Sequence, residues 1–341
     1  MSLTSDIQTS SDYKAWIEKI QSELKGKELS NYDYVWDGVH ISPFEAPNPV
    51  RRVLSRKENN EWHHGCAVRV NIPDPNNELL SVLELGATAL SIDIDSILSW
   101  GKVFQQIHLD WIQSEFVVHD VKSWENLSAY LSSYPSGKVS GICWVNENLQ
   151  LEFFEKYQPM LPEFRFLTIQ LKASNSADEI AGSLKKLLNR ISIISAHCES
   201  KKILDHIAIK FEGGEDLVLN ISMIRALRLL WMQSLKSAGL DAYAHEILIS
   251  ATVPFIKPVP TDQMIASSLI ATSLVLGGTD SLFIADPDQM KPDARWGLMA
   301  QHILSEEARL HISNDPLSGS HVIERLTGVI AKKVWEQMEK K

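Results

Sequence analysis

The stretch Leu276-Gly277-Gly278-Thr279-Asp280-Ser281-Leu282 ends an apolar run that begins at Met264 and opens a short β-rich run over 281–285. A helical pattern, a glycine pair and a strand form the hinge of a βα repeat. Gly277 stands where a helix C-terminus commonly needs a left-handed residue. The same alternation runs back through the chain, with strands expected over 67–72, 89–94, 116–121, 139–145, 165–171, 205–211, 246–252 and 281–285. Helical patterns lie between them over 78–85, 96–106, 123–133, 149–160, 177–195, 216–237, 261–276 and 293–311. Several begin at a capping residue, as at Asp95-Ser96 and Thr261-Asp262. Eight such pairs in order predict an α/β fold, a (β/α)8 TIM barrel, rather than an open doubly wound sheet.

Residues 1–60 stand outside this rhythm and are expected to form an N-terminal arm, with 61–341 as the barrel. The arm holds a polar tail, one amphipathic helix over 13–24, the segment Asp37-Gly38-Val39-His40 and a stretch with Pro43, Pro47 and Pro49. It is read either as lying over the barrel's own surface or as reaching over a partner subunit.

A chain that is 44% apolar and 22% charged has the composition of a large folded core. A net charge of −10 argues against nucleic acid and anionic membranes, which reward clustered Lys and Arg. The opening residues, Met1-Ser2-Leu3-Thr4-Ser5-Asp6, read as neither a signal nor a transit peptide. The run from Met264 to Leu276 is too short to span a bilayer and is interrupted by Ser and Thr. Cys66, Cys143 and Cys198 are few and far apart. A reduced cytoplasmic setting without structural zinc is expected.

In such a barrel, chemistry belongs at the C-terminal ends of the strands. The polar residues expected there include Asp93, Asp95, His119, Asp120, Asn146, Lys172, Lys210, Glu212, Thr252, Asp286 and Asp288. Asp93, His119 and Asp286 could be drawn as metal ligands, but their spacing is loose and strand-end Asp more often caps a helix. Lys172 and Lys210 could each be a desolvated nucleophile or a phosphate ligand, against the plainer reading of a solvated or ion-paired lysine. Gly213-Gly214 could cradle a phosphate ahead of a helix. Its acidic neighbours Glu212, Glu215 and Asp216 favour a turn. No Gly-x-Ser-x-Gly elbow, P-loop or His-Glu-x-x-His motif occurs. The pair His63-His64 opens the first strand, at the barrel's N-terminal end.

Several words, in order, resemble the methylmalonyl-CoA mutase family. They are Trp36-Asp37-Gly38, Leu83-Glu84-Leu85-Gly86-Ala87, Ile224-Arg225-Ala226-Leu227-Arg228-Leu229-Leu230-Trp231 and the glycine-pair stretch quoted first. Asp293-Ala294-Arg295-Trp296, Glu306-Glu307, Asp315-Pro316-Leu317-Ser318-Gly319-Ser320 and Leu326-Thr327 complete the set. The resemblance covers roughly residues 30–341 and is densest from 215 onward. It implies an isomerase family, in which an acyl-CoA barrel works with adenosylcobalamin.

The resemblance also implies what is missing. Catalytic members carry a Tyr-His pair after strand five, where this chain reads Leu171-Lys172-Ala173-Ser174. Their Arg and Ser that hold CoA at strand six correspond to His206 and Ala208, and their His-x-Gln after strand seven to the segment around Thr252. The Tyr-bearing loop before strand one has no counterpart in Glu58-Asn59-Asn60-Glu61-Trp62. None of the 11 histidines has an Asp two positions earlier, as the family's cobalt-binding motif requires, so a cobalamin-binding domain is expected to be absent. The expectation is therefore a small-subunit-like, non-catalytic barrel with degenerate substrate-site positions Lys172, His206, Ala208 and Thr252. It binds no cofactor itself and stabilises a catalytic large subunit in a heterodimer that interconverts methylmalonyl-CoA and succinyl-CoA. The alternative is a stand-alone TIM-barrel enzyme that has turned strand-end residues such as Asp93, His119, Lys172 and Lys210 to another reaction. A misaligned active mutase would need Tyr243 and His245, at the wrong barrel end.

Overall fold

A computed structural model describes residues 10–44, 59–135, 138–196, 203–240, 245–285 and 294–340; Cys198, Tyr243, Asp286 and Asp288 lie outside the described residues. The arm begins with α1 (Ser10–Glu23) and a two-stranded antiparallel hairpin, β1 (Tyr34–Trp36) and β2 (Val39–Ile41). Asp37 and Gly38 make its turn with φ of 49° and 75°, the left-handed pair that a tight hairpin requires. Asp37 then docks the hairpin on the barrel: it accepts from the Ala177 N–H at 3.3 Å and pairs with Lys333 at 2.7 Å. Trp36 and Ile41 are buried against this surface.

The barrel strands are β3 (His63–Val68), β4 (Ala89–Ile94), β5 (Gln113–Val118), β6 (Gly141–Trp144), β7 (Phe164–Arg165), β8 (Leu167–Lys172), β9 (Ile207–Glu212), β10 (Leu248–Val253) and β11 (Ser281–Ile284). They form one parallel sheet in the order β7-β6-β5-β4-β3-β11-β10-β9-β8. Only Phe166 separates β7 from β8, so the two ends of the sheet are one interrupted strand and the barrel closes on itself. The His206 carbonyl seals the break, accepting from the N–H groups of Phe166 and Leu167 at 3.1 and 3.0 Å. All eight expected strands are therefore present. Their outer faces, rich in Ile, Leu, Phe and Val, carry the main core between sheet and helices.

The outer helices are α2 (Pro75–Glu84), α3 (Trp100–Val103), α4 (Val121–Ser132), α5 (Gln150–Tyr157), α6 (Ala177–Ser195), α7 (Leu217–Ser237), α8 (Pro260–Gly277), α9 (Ala294–His302) and α10 (His321–Glu339). Capping residues start several of them: Asp74, Asp120 and Asp216 accept from N–H groups of the first turn, and Ser176 with Glu179 forms a capping box. Among the described residues no helix is long and apolar enough to cross a membrane.

Several boundaries depart from the expectation: β3 and β5 begin four and three residues early, and the helix expected over 293–311 ends at His302. The helix expected over 96–106 forms only at Trp100–Val103, where Trp100 stacks on Phe104 instead of continuing a regular turn. The helix expected from Thr261 starts one residue earlier, with Pro260 in the first turn and no side-chain cap. The left-handed residue after α8 is Gly278, with φ 89°, and not Gly277. Gly277 has another reason to be small, since a Cβ there would lie 3.1 Å from Ile224 of α7.

Candidate functional site: the barrel interior and its C-terminal mouth

Three of the family words meet in space, away from the mouth: the helical segment 224–231, the glycine-pair stretch and the segment 315–320. Arg225 on α7 forms ion pairs with Asp315 and, at 2.6 Å, with Glu324 on α10; Glu324 also accepts from the Gly319 N–H at 3.2 Å. Arg228, one turn on, reaches Asp280 at 2.9 Å and the carbonyls of Gly278 and Ile247 at 2.6 and 3.0 Å. Asp280 in turn accepts from the Ile249 N–H at 2.7 Å. Asp280 immediately precedes β11, so this network ties α7 and α10 to the N-terminal end of the barrel. It is a structural lock.

Along β5, Gln113, Glu115 and Val117 share one side of the strand. Glu115 receives the Trp144 Nε1–H at 2.8 Å, the Ser281 hydroxyl at 3.0 Å and the Gln113 amide at 3.3 Å. Ser281 lies on β11, three strands away in the sheet, so these contacts can only cross the barrel's interior. Burial pushes the Glu115 carboxyl up, while the nearby Ser250 hydroxyl dipole, hydrogen bonds from Trp144 and Ser281 and the charge of Lys210 oppose the shift. Lys210 lies with Nζ 5.5 Å from the Trp144 ring centroid. Phe283 fills the space beside Gly65, where a Cβ would come within 2.6 Å of the ring. At this level the interior is occupied by two aromatic rings and a buried carboxylate.

Above it, the mouth is built from exposed pairs. Asp93 and His119 meet at 3.0 Å and Lys172 and Glu212 at 2.9 Å, with every one of these side chains more than a third exposed. Thr252 stands in register between Glu212 and Phe283, half-buried. The loop after β8 is tied to itself: the Lys172 N–H donates to Asn175 Oδ1 at 2.6 Å, and Asn175 and Ser176 hold Glu179. Among the described residues no group of three or more His, Cys, Asp or Glu is arranged to hold a metal. The Gly213-Gly214 turn is also engaged, with the Gly214 N–H donated to Asn220 Oδ1 at 2.8 Å.

Two of the degenerate positions lie elsewhere. His206 precedes β9, at the N-terminal end, where its Nδ1–H is given to the Phe164 carbonyl and its ring packs edge-on to Phe154 at 5.2 Å. Burial holds this imidazole below its ordinary pKa. Ala208 faces inward in a small cluster with Ile142 and Trp144. The structure thus brings Lys172 to the mouth with Asp93, His119 and Thr252, places Lys210 one layer below over Trp144, and separates His206 from them.

A cavity of about 420 Å³ opens beside the mouth and is lined by Val117, Trp144, Asn146, Gln150, Thr168 and Gln170 among others. It exists because β6 pairs with β7 only at Gly141 and Ile142, leaving β6 and β8 to splay. Gln150 replaces the absent strand contact. Its Oε1 accepts from the Thr168 N–H at 3.1 Å, and its Nε2 donates to the Thr168 carbonyl at 2.8 Å. Arg190 backs it, donating to Gln150 Oε1 at 3.1 Å and to Glu147 at 3.2 Å. None of Glu115, Trp144, Gln150 or Phe283 was singled out from sequence. The alternation Gln113-Ser114-Glu115-Phe116 was the available signal for the first of them.

The family model described as methylmalonyl-CoA mutase matches residues 165–340, just over half of the chain. The methylmalonyl-CoA mutase small subunit of Porphyromonas gingivalis is 25% identical over an alignment of 391 residues, which covers 95% of this chain and 61% of that protein. The methylmalonyl-CoA mutase of Escherichia coli is 30% identical over 49% of this chain and 26% of its own length. This chain therefore spans about three-fifths or less of the curated relatives described. Among solved structures, Yersinia pestis dihydropteroate synthase aligns with a TM-score of 0.45 and 11% identity, covering 81% of this chain and 99% of that one.

Proposed function

The chain belongs to the methylmalonyl-CoA mutase family, and on that premise we propose that it is a small-subunit-like barrel without chemistry of its own. Its task is to hold a catalytic large subunit in a competent heterodimer. The observation that carries this reading is the similarity over 95% of the chain to a protein described as a methylmalonyl-CoA mutase small subunit. Two features of the barrel support it. Trp144, Phe283 and the Glu115 network occupy the interior beneath the cavity at the ends of β5, β6 and β8, and the end of β8 offers Lys172 bound to Glu212.

The cobalamin chemistry of the family does not fit this donor set. Where a phenol and an imidazole would face the substrate, the chain has Leu171, Lys172, Ala173 and Ser174, and the loop that follows is tied to itself through Asn175. Adenosylcobalamin and the interconversion of methylmalonyl-CoA and succinyl-CoA are therefore assigned to the large subunit, in the cytoplasm. What this chain supplies is a rigid barrel. The Arg225 and Arg228 networks keep its helices in place, so binding does not have to order them.

The test is reconstitution with the cognate large subunit and adenosylcobalamin. A stable 1:1 complex on size-exclusion chromatography, with faster or longer-lived turnover than the large subunit alone, is expected. Separate elution with unchanged turnover would refute the reading.

A further inference from the structure

Seven of the sixteen large apolar side chains exposed among the described residues fall between Val259 and Ile312, and six of those seven stand on or beside two neighbouring helices. α8 and α9 both pack on β11 and so lie side by side in the barrel's outer ring. Over its 18 residues α8 has one charged side chain, Asp262. Its outward stripe runs through Met264, Ile265, Ser268, Leu269 and Thr272, the spacing of a single helix face. Ile265 is 65% and Leu269 51% exposed. The hydroxyls of that stripe turn inward: Ser268 donates to the Met264 carbonyl at 2.8 Å and Thr272 to the Ser268 carbonyl at 2.7 Å. Bonded to their own helix, they leave the stripe with little demand for water.

The neighbouring helix carries the patch on. Gln301 fixes α9 to β3 by accepting from the Gly65 N–H at 3.2 Å and donating to the Gly65 carbonyl at 3.1 Å. That anchor turns Met299 outward, 43% exposed, and Ile303, just past the end of the helix, is 50% exposed. Elsewhere the outer ring presents charge, as with Lys185 and Lys186 on α6 or Lys332 and Glu336 on α10. These side chains together expose on the order of 500 Å² of apolar surface, at the upper end of what a monomer tolerates. That is more than half of the ~800 Å² that each partner contributes to a standard interface.

We propose that the α8–α9 face is the surface on which the large subunit's barrel docks. This rests on the small-subunit reading above. The choice of occupant follows from the family match, which spans the whole patch: a homologous barrel builds the same pair of helices at the same place. Two such faces, apolar along α8 and bordered by Arg295 and Glu306-Glu307 on the α9 side, can meet about an approximate two-fold axis that sets the arginine of each against the carboxylates of the other. An unrelated partner would need its own complementary surface.

The experiment compares the wild type with I265E/L269E, with M299E and, as a control on another face, with I193E, where Ile193 is 46% exposed on α6. Each is titrated with the cognate large subunit by calorimetry, and each is melted alone. The expected result is a Kd raised about 100-fold or more for I265E/L269E and about tenfold for M299E. I193E should bind as the wild type does, and all variants, being surface changes, should melt within about 2 °C of it. Tight binding by I265E/L269E overturns the surface while leaving the heterodimer standing. Self-association of the wild type that I265E/L269E abolishes, without large-subunit binding, overturns the occupant. Failure of the wild type itself to bind overturns the small-subunit reading and the inference with it.

Discussion

Replacing Arg225 by Met removes the cation shared by a buried carboxylate, Glu324, and a partly buried one, Asp315. Arg225 is 4% exposed and Glu324 2%, and both Asp315 and Glu324 lie within ion-pair distance of the guanidinium. Met fills most of the volume, so the loss is electrostatic rather than a cavity. Breaking a buried pair from one side costs about 3–5 kcal/mol, because the remaining charge keeps its desolvation cost. Against a typical total of 5–15 kcal/mol, that is a third or more of the stability. With a urea slope of about 3 kcal/mol/M, the midpoint falls by roughly 1 M or more. Neutralising the carboxylates as well, in R225M/D315N/E324Q, should recover most of that fall, since no unpaired charge remains. Equilibrium unfolding followed by tryptophan fluorescence reads both. A loss below about 1 kcal/mol in R225M, or a triple variant no more stable than the single one, would refute the lock.

Two further outcomes follow from the same structure. Burial, and then the neighbouring His302, hold the His64 imidazole down to about 4, so the unfolded chain binds a proton there that the folded chain refuses. Stability is therefore full above pH 6.5 and falls as pH drops toward 4; allowing for the ring's partial exposure the loss is about 1–2 kcal/mol, and H64Q should flatten that slope in a pH series of thermal melts. Q150A leaves the Thr168 N–H and carbonyl at the splayed seam without their partner, so it should cost about 1–3 kcal/mol and speed hydrogen exchange at Thr168 before the rest of β8.

The repeat was legible because each strand and helix carries its own local pattern. β4 and α6 lie where their residues place them, at Ala89–Ile94 and Ala177–Ser195. β5 begins three residues before the expected strand, since Gln113 and Glu115 look like loop until the barrel interior is known to be polar. The last helix, His321–Glu339, falls outside the eight repeats and so had no place in the count. The lock and the Glu115 network were not legible, because Arg225 and Glu324 stand 99 positions apart and Glu115 and Ser281 166 apart. No local periodicity pairs residues at such distances. The family words on α7, before β11 and before α10 pointed to the right neighbourhood, and what they build there is scaffold.

If the chain is a non-catalytic barrel, its mouth takes no part in the reaction. The most direct test is turnover of the reconstituted heterodimer carrying K172A/K210A in this chain, with methylmalonyl-CoA and adenosylcobalamin at saturation. The expected kcat lies within about twofold of the wild-type heterodimer, since a change outside the reacting centre leaves the barrier untouched. A fall of tenfold or more, about 1.4 kcal/mol of barrier, with the complex still intact by size exclusion, would contradict it.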